Sequence, residues 1–228
     1  MPVMTTPAVR PRSRTPRGAA RPDRRQAILL AAEKLFAEQG YHAVSLRQIA
    51  AEAEVPLALV GYYFGAKHEL FHAAFERWSP TIDARLALLR EATTDRKRPT
   101  LRRIVQAFVD PVLALRASAE GEYYAMLVAR ELAYRTPDAD RVLAEYFDPM
   151  AHAFIDALHT LRPDVPRAQV AWAYQFAMGA LLHHIMDHRV QRLSHGENAP
   201  HDPAAAPLLI DFMTAGIDAA LKAPLSQR

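Results

Sequence analysis

Apolar residues recur at helical spacing along most of this 228-residue chain. In the clearest case Leu46, Ile49, Ala50 and Ala53 fall at positions i, i+3, i+4 and i+7, which places them on one face of a helix. Alternation of polar and apolar residues, the usual sign of a half-buried strand, is almost absent, and the chain has only eight glycines. The pattern therefore predicts an all-α protein.

A short helix, a tight turn and a second short helix are predicted between residues 45 and 64. Ser45 is followed three residues later by Gln48, the capping-box spacing that satisfies free backbone N–H groups at a helix start. The first helix is therefore predicted to begin near Leu46. Pro56, a residue tolerated at a first helical position, opens the second helix. This order predicts a helix-turn-helix unit.

A further helix is predicted before this unit. Asp23 is placed to cap its start, and Gly40 is placed to end it. Its apolar face is formed by Ile28, Leu29, Ala32, Leu35 and Phe36. We expect this helix to pack behind the helix-turn-helix unit, so that residues 22–66 form one small domain.

Residues 1–21 differ in composition from the rest of the chain. Five arginines stand there among Pro, Thr, Ser and Ala, with too little apolar surface to fold. We expect a disordered basic arm, which either contacts DNA phosphates or a minor groove or is simply disordered. The pair Arg24-Arg25 resembles an export signal, but Glu33 and Lys34 interrupt the apolar run after six residues, so export is not expected.

Residues 67–228 are predicted to form a second, larger helical domain. Ser79-Pro80 is expected to end or kink its first helix, Pro111 to kink a later helix, and Pro149 to lie inside another. The pattern is also helical around Leu86 to Leu89. The other predicted helices span about 67–78, 101–117, 120–135, 138–160, 166–192 and 206–222.

The segment 168–186 has no Asp, Glu, Lys or Arg over 19 residues, a length that raises the question of a membrane span. Gln169, Gln175, His183 and His184 argue against a span. A helix buried in a large interface explains the same composition, and we expect no membrane partner.

The two C-terminal helices carry broad apolar stripes. They predict a homodimer interface of four helices, two from each subunit, through residues 166–192 and 206–222. The alternative is that both stripes belong to the core of one subunit. The stripes are Val170, Tyr174, Ala177, Leu181 and Ile185 in the first helix, and Leu209, Phe212, Met213, Gly216, Ile217 and Ala220 in the second.

The positive charge is concentrated at the N-terminal end. The formal net charge is only +3, but residues 1–70 hold ten Lys and Arg against six Asp and Glu, while the remainder holds 18 against 19. This distribution is typical of a phosphate-binding head on a body that binds something else. The absence of Cys excludes disulfides and Cys-ligated metal, and it fits a cytoplasmic protein.

The segment from Arg25 to Leu70 resembles the DNA-binding domain of the tetracycline-repressor (TetR/AcrR) family of bacterial regulators. Residues 80–228 match that family only in being helical, of suitable length and rich in aromatic residues. The matching residues are Ile28, Leu29, Ala31, Ala32, Phe36, Gly40, Tyr41, Ser45, Ile49, Ala50, Ala53, Val55, Tyr63, Phe64, Lys67 and Leu70.

The resemblance implies a homodimer that places one recognition helix per subunit in successive major grooves of a near-palindromic double-stranded DNA operator. It implies a repressor, released when a small-molecule effector enters the C-terminal domain and shifts the dimer to a second conformation. Residues 67–78 are the expected lever. No cofactor and no catalytic activity are expected.

The resemblance assigns three kinds of DNA contact to matching positions of this sequence. Ser45 and Lys67 are expected to contact phosphates with help from Arg47, and Tyr62 and Tyr63 to reach the backbone through their hydroxyls. Packing is an equal alternative for Tyr63. Three further residues are expected to face the groove and to favour thymine methyl contact and shape readout, namely Leu57, Ala58 and Gly61.

Three positions depart from the family pattern. Glu54 stands where a turn glycine is usual, so the backbone there either avoids a positive φ or is strained by about 1 kcal/mol. Pro56 replaces a serine cap. Gly61 replaces a tyrosine and removes one expected DNA contact.

Two histidine motifs suggest other chemistry. The sequence His68-Glu69-Leu70-Phe71-His72 matches the H-E-x-x-H motif of zinc proteases, but it lies at the start of the predicted connector helix. A zinc hydrolase is thus an unlikely alternative function. His183, His184 and His188, near Asp187, either bind a metal, tune the interface with pH or are ordinary structure.

An effector pocket is expected among apolar and aromatic residues of the second domain. Arg130 is singled out because a buried arginine needs a partner, such as Glu131, solvent or the carboxylate of an effector. The effector is expected to be mainly apolar, with an anionic effector as an alternative that would give Arg130 its partner. The other candidates are Trp78, Phe108, Tyr123, Tyr124, Met126, Phe147, Met150, Phe154, Trp172 and Phe176. A sequence-indifferent architectural DNA-binding protein is a second alternative function.

Overall fold

A computed structural model describes residues 23–94, 99–119, 121–134 and 137–222. Within these ranges the regular structure is helical and no strand occurs, so the predicted all-α class is confirmed. The predicted basic arm, residues 1–21, lies outside the described residues.

Twelve α-helices are described. They are α1 Arg24–Gln39, α2 Leu46–Glu52, α3 Leu57–Phe64, α4 Lys67–Glu76, α5 Ser79–Thr94, α6 Leu101–Ala117, α7 Glu122–Ala133, α8 Pro137–Val142, α9 Asp148–Leu161, α10 Arg167–Met186, α11 Val190–Leu193 and α12 Ala206–Lys222. A π-helical turn, Leu143–Phe147, joins α8 to α9, and a 3₁₀ turn, Pro203–Ala205, precedes α12.

The predicted start signals lie where the sequence places them. The Asp23 carboxylate accepts hydrogen bonds from the N–H groups of Arg25 and Gln26 at the start of α1. Ser45 and Gln48 form the predicted capping box of α2, with Gln48 Oε1 accepting from the Ser45 N–H at 2.8 Å. Local side-chain chemistry alone fixes these helix starts.

The structure corrects three predicted boundaries. The single helix predicted over 138–160 is divided by a π-helical turn. Pro149 therefore lies in the first turn of α9, where proline is tolerated, and not inside a longer helix. The predicted helix 166–192 ends at Met186, where Asp187 is extended, and resumes at Val190. Pro56 is the N-cap residue of α3 and lies one position before its first helical residue.

Aromatic side chains fill the core of the N-terminal unit. The ring of Phe71 packs edge-on against Phe36 at 5.4 Å and against Phe75 at 5.1 Å, and lies 4.7 Å from the Tyr41 ring. Phe36, Phe71 and Phe75 are almost fully buried, and Ile49 of α2 lies in the same core. This cluster positions α2 and α3 on α1 and α4.

The two halves of the chain share one continuous core, because α1 packs on α7 as well as on α4. Arg130 of α7 donates a hydrogen bond to the Gln39 carbonyl at 3.3 Å. A Cβ at residue 40 would lie 2.7 Å from the guanidinium, so a larger residue than Gly40 would displace the Arg130 side chain. Gly40 also has a φ of 83°, which glycine adopts without strain.

A buried carboxylate holds the same junction. Glu33 of α1 is 1 % exposed, and both of its oxygens accept from the Arg77 Nη1 atom, at 2.8 and 3.0 Å. Trp78 donates its Nε1–H to Glu33 at 3.1 Å. Because Arg77 and Trp78 follow α4, this cluster joins α1 to the connection between α4 and α5.

The predicted apolar stripe of α10 faces inward, whereas the predicted stripe of α12 is divided between the core and the surface. Val170, Tyr174, Ala177, Leu181 and Ile185 are all buried within the subunit. In α12 the residues Met213 and Ile217 are buried in the same way, and α12 packs on both α10 and α6. The α10 stripe and these two α12 residues therefore belong to the core of one subunit, while Phe212 and Gly216 of the predicted α12 stripe are exposed.

Replacing Glu33 by alanine is expected to destabilise the protein by about 3 kcal/mol, because it removes the carboxylate that Arg77 and Trp78 contact in a largely buried site. Urea unfolding followed by circular dichroism measures this loss. Glu38, exposed on the same helix, provides the control, since Glu38→Ala removes a carboxylate from solvent. Equal effects of the two substitutions would show that the Glu33 cluster does not stabilise the junction.

Candidate nucleic-acid interface and ligand cavity

The second helix of the helix-turn-helix unit presents a flat, largely uncharged face to solvent. Val60 and Phe64 anchor α3 in the core, at 0 % and 7 % exposed. Leu57 and Tyr62 lie on the outer side of the helix at 42 % and 79 % exposed. Ala58 and Gly61 are exposed beside them, and a Cβ at Gly61 would meet open space. All the residues predicted to face a DNA groove are thus accessible.

The turn before α3 adopts the strained alternative predicted from the sequence. Glu54 has a φ of 53°, in the left-handed region that disfavours residues with a side chain. Two hydrogen bonds hold the turn, from the Glu54 N–H to the Ala51 carbonyl and from the Val55 N–H to the Ala50 carbonyl. The backbone therefore keeps the shape that a glycine would favour and carries a strain of about 1 kcal/mol.

The two adjacent tyrosines differ in exposure. Tyr63 is 38 % exposed and packs edge-on against Tyr62, with 5.2 Å between ring centroids. Its ring is held in part by the protein, whereas the Tyr62 ring projects into solvent. Tyr62 is therefore the better placed of the two to reach a phosphate.

Lys67 has intramolecular partners at the start of α4. Its ammonium group donates to the carbonyls of Tyr41 at 2.8 Å and Val44 at 2.9 Å, and it lies over the Tyr41 ring. These contacts tie α4 to the loop between α1 and α2. Ser45 and Arg47, at the start of α2, are exposed near that loop.

The H-E-x-x-H motif has a structural explanation. Glu69 accepts a hydrogen bond from the Ala66 N–H at 2.6 Å and so caps α4. His72 lies 3.0 Å from the Glu145 carboxylate, and this contact lowers the pKa of Glu145. Leu70 and Phe71 are buried core residues. In the described part of the chain, no three His, Asp or Glu side chains are arranged to hold a metal ion.

The histidines of the C-terminal half form a separate cluster. His201 lies 3.4 Å from His188, nitrogen to nitrogen, and its ring stands edge-on to His184. Burial is the main cause that lowers the pKa of both His184 and His201, so both are neutral near pH 7. His183 instead lies 3.1 Å from Asp187.

An apolar cavity of about 50 Å³ lies between α5, α6, α7 and α10. Known ligand sites measure roughly 300–1,000 Å³, so the cavity must widen to accept an organic ligand. Its walls are Thr81, Ile82, Arg85, Pro111, Val112, Leu115, Tyr124, Ala125, Val128, Ala129, Leu132, Phe147, Met178, Leu181, Leu182 and Ile185.

Two polar side chains interrupt this apolar lining. Arg85 is 7 % exposed and donates to the Phe108 carbonyl at 3.2 Å, and its guanidinium lies over the Phe108 ring. Tyr124 is 2 % exposed, and its hydroxyl has no hydrogen-bond partner. Burial lowers the pKa of Arg85 and raises the pKa of Tyr124, so the tyrosine is a neutral donor at physiological pH.

The predicted pocket residues are dispersed. Of the aromatic candidates, Phe147 and Tyr124 line the cavity. Phe108 and Phe154 are buried against Arg85, and Trp78 stacks on the outer side of Tyr124. The others lie elsewhere: Met150 is buried in α9, Tyr123 and Met126 are partly buried on α7, Arg130 contacts α1, and Trp172 and Phe176 are exposed.

Arg85 is not among the pocket residues predicted from the sequence, although the sequence holds a signal for it. Ile82, Arg85 and Leu89 fall at i, i+3 and i+7, so the arginine occupies an apolar stripe of α5. All three side chains are buried. Arg130 drew attention instead because its neighbours in sequence are apolar, but neighbours in sequence point to different faces of a helix.

The cavity is linked to the N-terminal unit through aromatic stacking. Tyr124 in the cavity wall stacks on Trp78, with 5.1 Å between centroids and 16° between planes. Trp78 in turn donates its hydrogen bond to Glu33 of α1. The cavity wall at Tyr124 is therefore in contact, through Trp78, with the helix that supports α2 and α3.

A second apolar surface, here called the outer face, is formed by α10 and α12. Trp172 and Phe176 stack on each other there at 57 % and 64 % exposed, and Leu208 and Phe212 are 72 % and 64 % exposed on α12. These residues alternate with the buried stripes of the same helices. Phe212 belongs to the stripe of the last helix that the sequence predicts for an interface, whereas Trp172 and Phe176 lie outside the predicted stripe of α10.

One described helical stretch, Pro203–Lys222, is long and apolar enough to cross a membrane. A single stretch of this kind is weak evidence, because helices of soluble proteins also pass the test. The stretch contains α12 and part of the outer face, which accounts for its exposed apolar residues.

Comparison with known proteins matches both halves of the chain to one family. Residues 28–74 match the model of bacterial regulatory proteins of the tetR family, and residues 106–216 match the tetracyclin repressor-like C-terminal domain. The second match goes beyond the resemblance in architecture that the sequence alone indicated for this half.

Individual relatives match over shorter segments. The chain is 35 % identical over 90 residues to the HTH-type transcriptional activator FasR of Mycolicibacterium smegmatis, which is 40 % of this chain and 41 % of that protein. It is 48 % identical over 48 residues to the HTH-type transcriptional regulator HbdR of Aromatoleum sp. strain CIB, 21 % of each chain. The chain thus spans less than half the length of these curated relatives.

Solved structures agree with the fold. A TetR-family transcriptional regulator from Bordetella parapertussis 12822 superposes with a TM-score of 0.63 at 19 % identity, over 85 % of this chain and 95 % of that one. The helix-turn-helix unit, the helical body and the two family matches therefore agree, and the chain belongs to the TetR family of bacterial regulatory proteins.

Proposed function

We propose that this protein is a transcriptional repressor that binds a near-palindromic DNA operator as a homodimer and is released by a small, mainly apolar effector. The observation that carries the proposal is the solvent-exposed face of α3, mounted on a core that continues to an apolar cavity. A cytoplasmic location follows from a function on DNA.

The exposed face of α3 suits groove binding of a particular kind. Leu57, Ala58 and Gly61 offer no side-chain hydrogen-bond donors, so readout rests on thymine methyl groups and on DNA shape. The Tyr62 hydroxyl and the serine and arginine at the start of α2 supply backbone contacts. Affinity then depends more on phosphates than on bases.

Effector release follows from the size of the cavity and its position. A ligand must push the walls apart to enter a space of about 50 Å³. Tyr124 and Trp78 connect one wall to α1, so widening displaces the helix-turn-helix unit. A ligand that binds only the widened state shifts the protein toward that state.

The homodimer is proposed through the outer face of α10 and α12. Exposed aromatic residues and two glycines, Gly179 and Gly216, lie on this face, and open space surrounds both glycines. Glycine allows a partner helix to approach closely, and stacked aromatic residues are typical of interface centres. A two-fold partner would also supply the second recognition helix that a palindrome requires.

Footprinting on DNA upstream of the protein's own gene tests the proposal. Protection of a discrete palindrome, resistant to competitor DNA, is expected. Tyr62→Phe is expected to weaken binding about tenfold, or roughly 1.4 kcal/mol, because it removes a phosphate donor. Tyr134→Phe, at an exposed site in the C-terminal half, is the matched control.

The other outcomes are informative. Uniform coating of the DNA would support an architectural DNA-binding protein, and no binding at low salt would contradict DNA binding altogether. A reporter fused to the protected promoter gives the sign of regulation, since one relative is named an activator. Increased expression in the presence of the protein would replace repression by activation.

Substitutions at Lys67 and at Arg47 distinguish a role in stability from a role in DNA binding. Lys67→Met is expected to lower the free energy of unfolding by about 1–3 kcal/mol, because two carbonyl acceptors lose a charged donor. Arg47→Met, at an exposed site, is expected to leave stability unchanged and to weaken DNA binding. Unfolding in urea and DNA titration measure both. If the Lys67 variant kept its stability but bound DNA more weakly at low salt, the result would support a contact between Lys67 and a DNA phosphate.

Sedimentation of outer-face variants tests the homodimer. Phe176→Glu and Phe212→Glu are each expected to convert a dimer to a monomer, because they place a carboxylate in an apolar interface. Leu88→Glu, at an exposed leucine of α5, is the control and is expected to remain dimeric. A monomeric wild-type protein, or dimeric Glu variants, would remove the outer face as the interface.

A further inference from the structure

The guanidinium of Arg85 lies in the cavity wall without a carboxylate partner in the described residues. Its Nη2 atom donates to the Phe108 carbonyl, and the group lies over the rings of Phe108 and Phe154 at 5.0 and 6.0 Å. The Nε atom is shut off from solvent and has no hydrogen-bond partner. A guanidinium stays protonated in proteins, so a full positive charge is buried here uncompensated.

A second unused donor lines the same cavity. The hydroxyl of Tyr124 is buried without a partner, and nearly all the remaining lining is aliphatic or aromatic. Buried polar groups are nearly always hydrogen-bonded, and those that are not point to a missing partner. Arg85 and Tyr124 thus bring one positive charge and two donors without partners, an Nε–H and a hydroxyl, to the wall of the cavity.

We propose that the effector is an amphiphile with a single carboxylate on an apolar body, and that Arg85 and Tyr124 bind the carboxylate. The inference rests on the proposed function, in that it takes the cavity as the effector site. A carboxylate accepts from an Nε–H and a hydroxyl together and neutralises one guanidinium. A doubly charged phosphate would leave a surplus buried charge. The apolar body lies along Val112, Leu115 and Met178.

The position of the carboxylate site also explains how ligand binding would affect α1. Tyr124, which binds the carboxylate, is the residue stacked on Trp78. A ligand held at this end of the cavity therefore acts on the stacked pair that leads to α1. The positive charge of Arg85 thus selects the ligand at the same place where Tyr124 would pass a movement of the cavity wall on to Trp78.

Calorimetric titration of the full chain without DNA tests the inference. The probes are octanoate and decanoate, the uncharged alcohols of the same lengths, and acetate. The wild-type protein is expected to bind each acid at least about tenfold more tightly than its alcohol, and to bind acetate too weakly to detect.

Arg85→Met is expected to abolish the preference for the acid while leaving the alcohol affinity within about twofold. Arg85→Lys, which keeps the charge, is expected to retain part of the preference. Arg90→Met, at an exposed arginine of the same helix, is expected to behave as wild type. The melting temperature of ligand-free Arg85→Met is expected to equal or exceed that of the wild type, because an apolar side chain replaces an uncompensated buried charge.

Three results would overturn the inference: no binding of either acid, equal affinity for acid and alcohol, or an acid preference that survives in Arg85→Met. A lower melting temperature of Arg85→Met together with unchanged acid binding would assign Arg85 a purely structural role. DNA binding is measured separately without ligand. If the wild type bound the acids through Arg85 but did not bind DNA, the proposed regulator function would fail while this ligand site stood.

Discussion

The buried carboxylate of Glu33 is the contact on which the two halves of this protein depend. It holds Arg77 and Trp78 against α1 in a site that is 1 % exposed, where an unpaired charge would be costly. Because α1 supports α2 and α3, this cluster helps to hold the helix-turn-helix unit against the rest of the chain. The stack of Trp78 on Tyr124 extends the same contact to the ligand cavity.

The cavity combines small volume, apolar walls and two polar groups without partners. The protein is expected to be less stable with the buried charge of Arg85 than with an apolar residue at that position. Such a loss of stability is common at functional sites. One wall of the cavity, α7, also packs on α1. In the proposed function, recognition of the ligand and transmission to the helix-turn-helix unit therefore use neighbouring side chains of the same helix.

The DNA reading proposed for this chain relies on few hydrogen-bonding side chains. The face of α3 is apolar and small, and the turn before it keeps a positive φ at Glu54 despite the strain. The strain indicates that the backbone shape of the helix-turn-helix unit is maintained by packing around it. Val60 and Phe64, buried behind α3, supply that packing.

The sequence by itself determined the helical class, the capped starts of α1 and α2, the exposed residues of α3 and the resemblance to a family. These features are local, because they depend on residues three or four positions apart and on caps within one turn. The tertiary structure alone decided which arginine of the second domain lines a cavity, since Arg85 and Arg130 both stand among apolar neighbours in sequence. It also decided which side of α10 is buried. Both faces of that helix are apolar, so only packing against α12 and α7 could separate the core stripe from the outer face of Trp172 and Phe176.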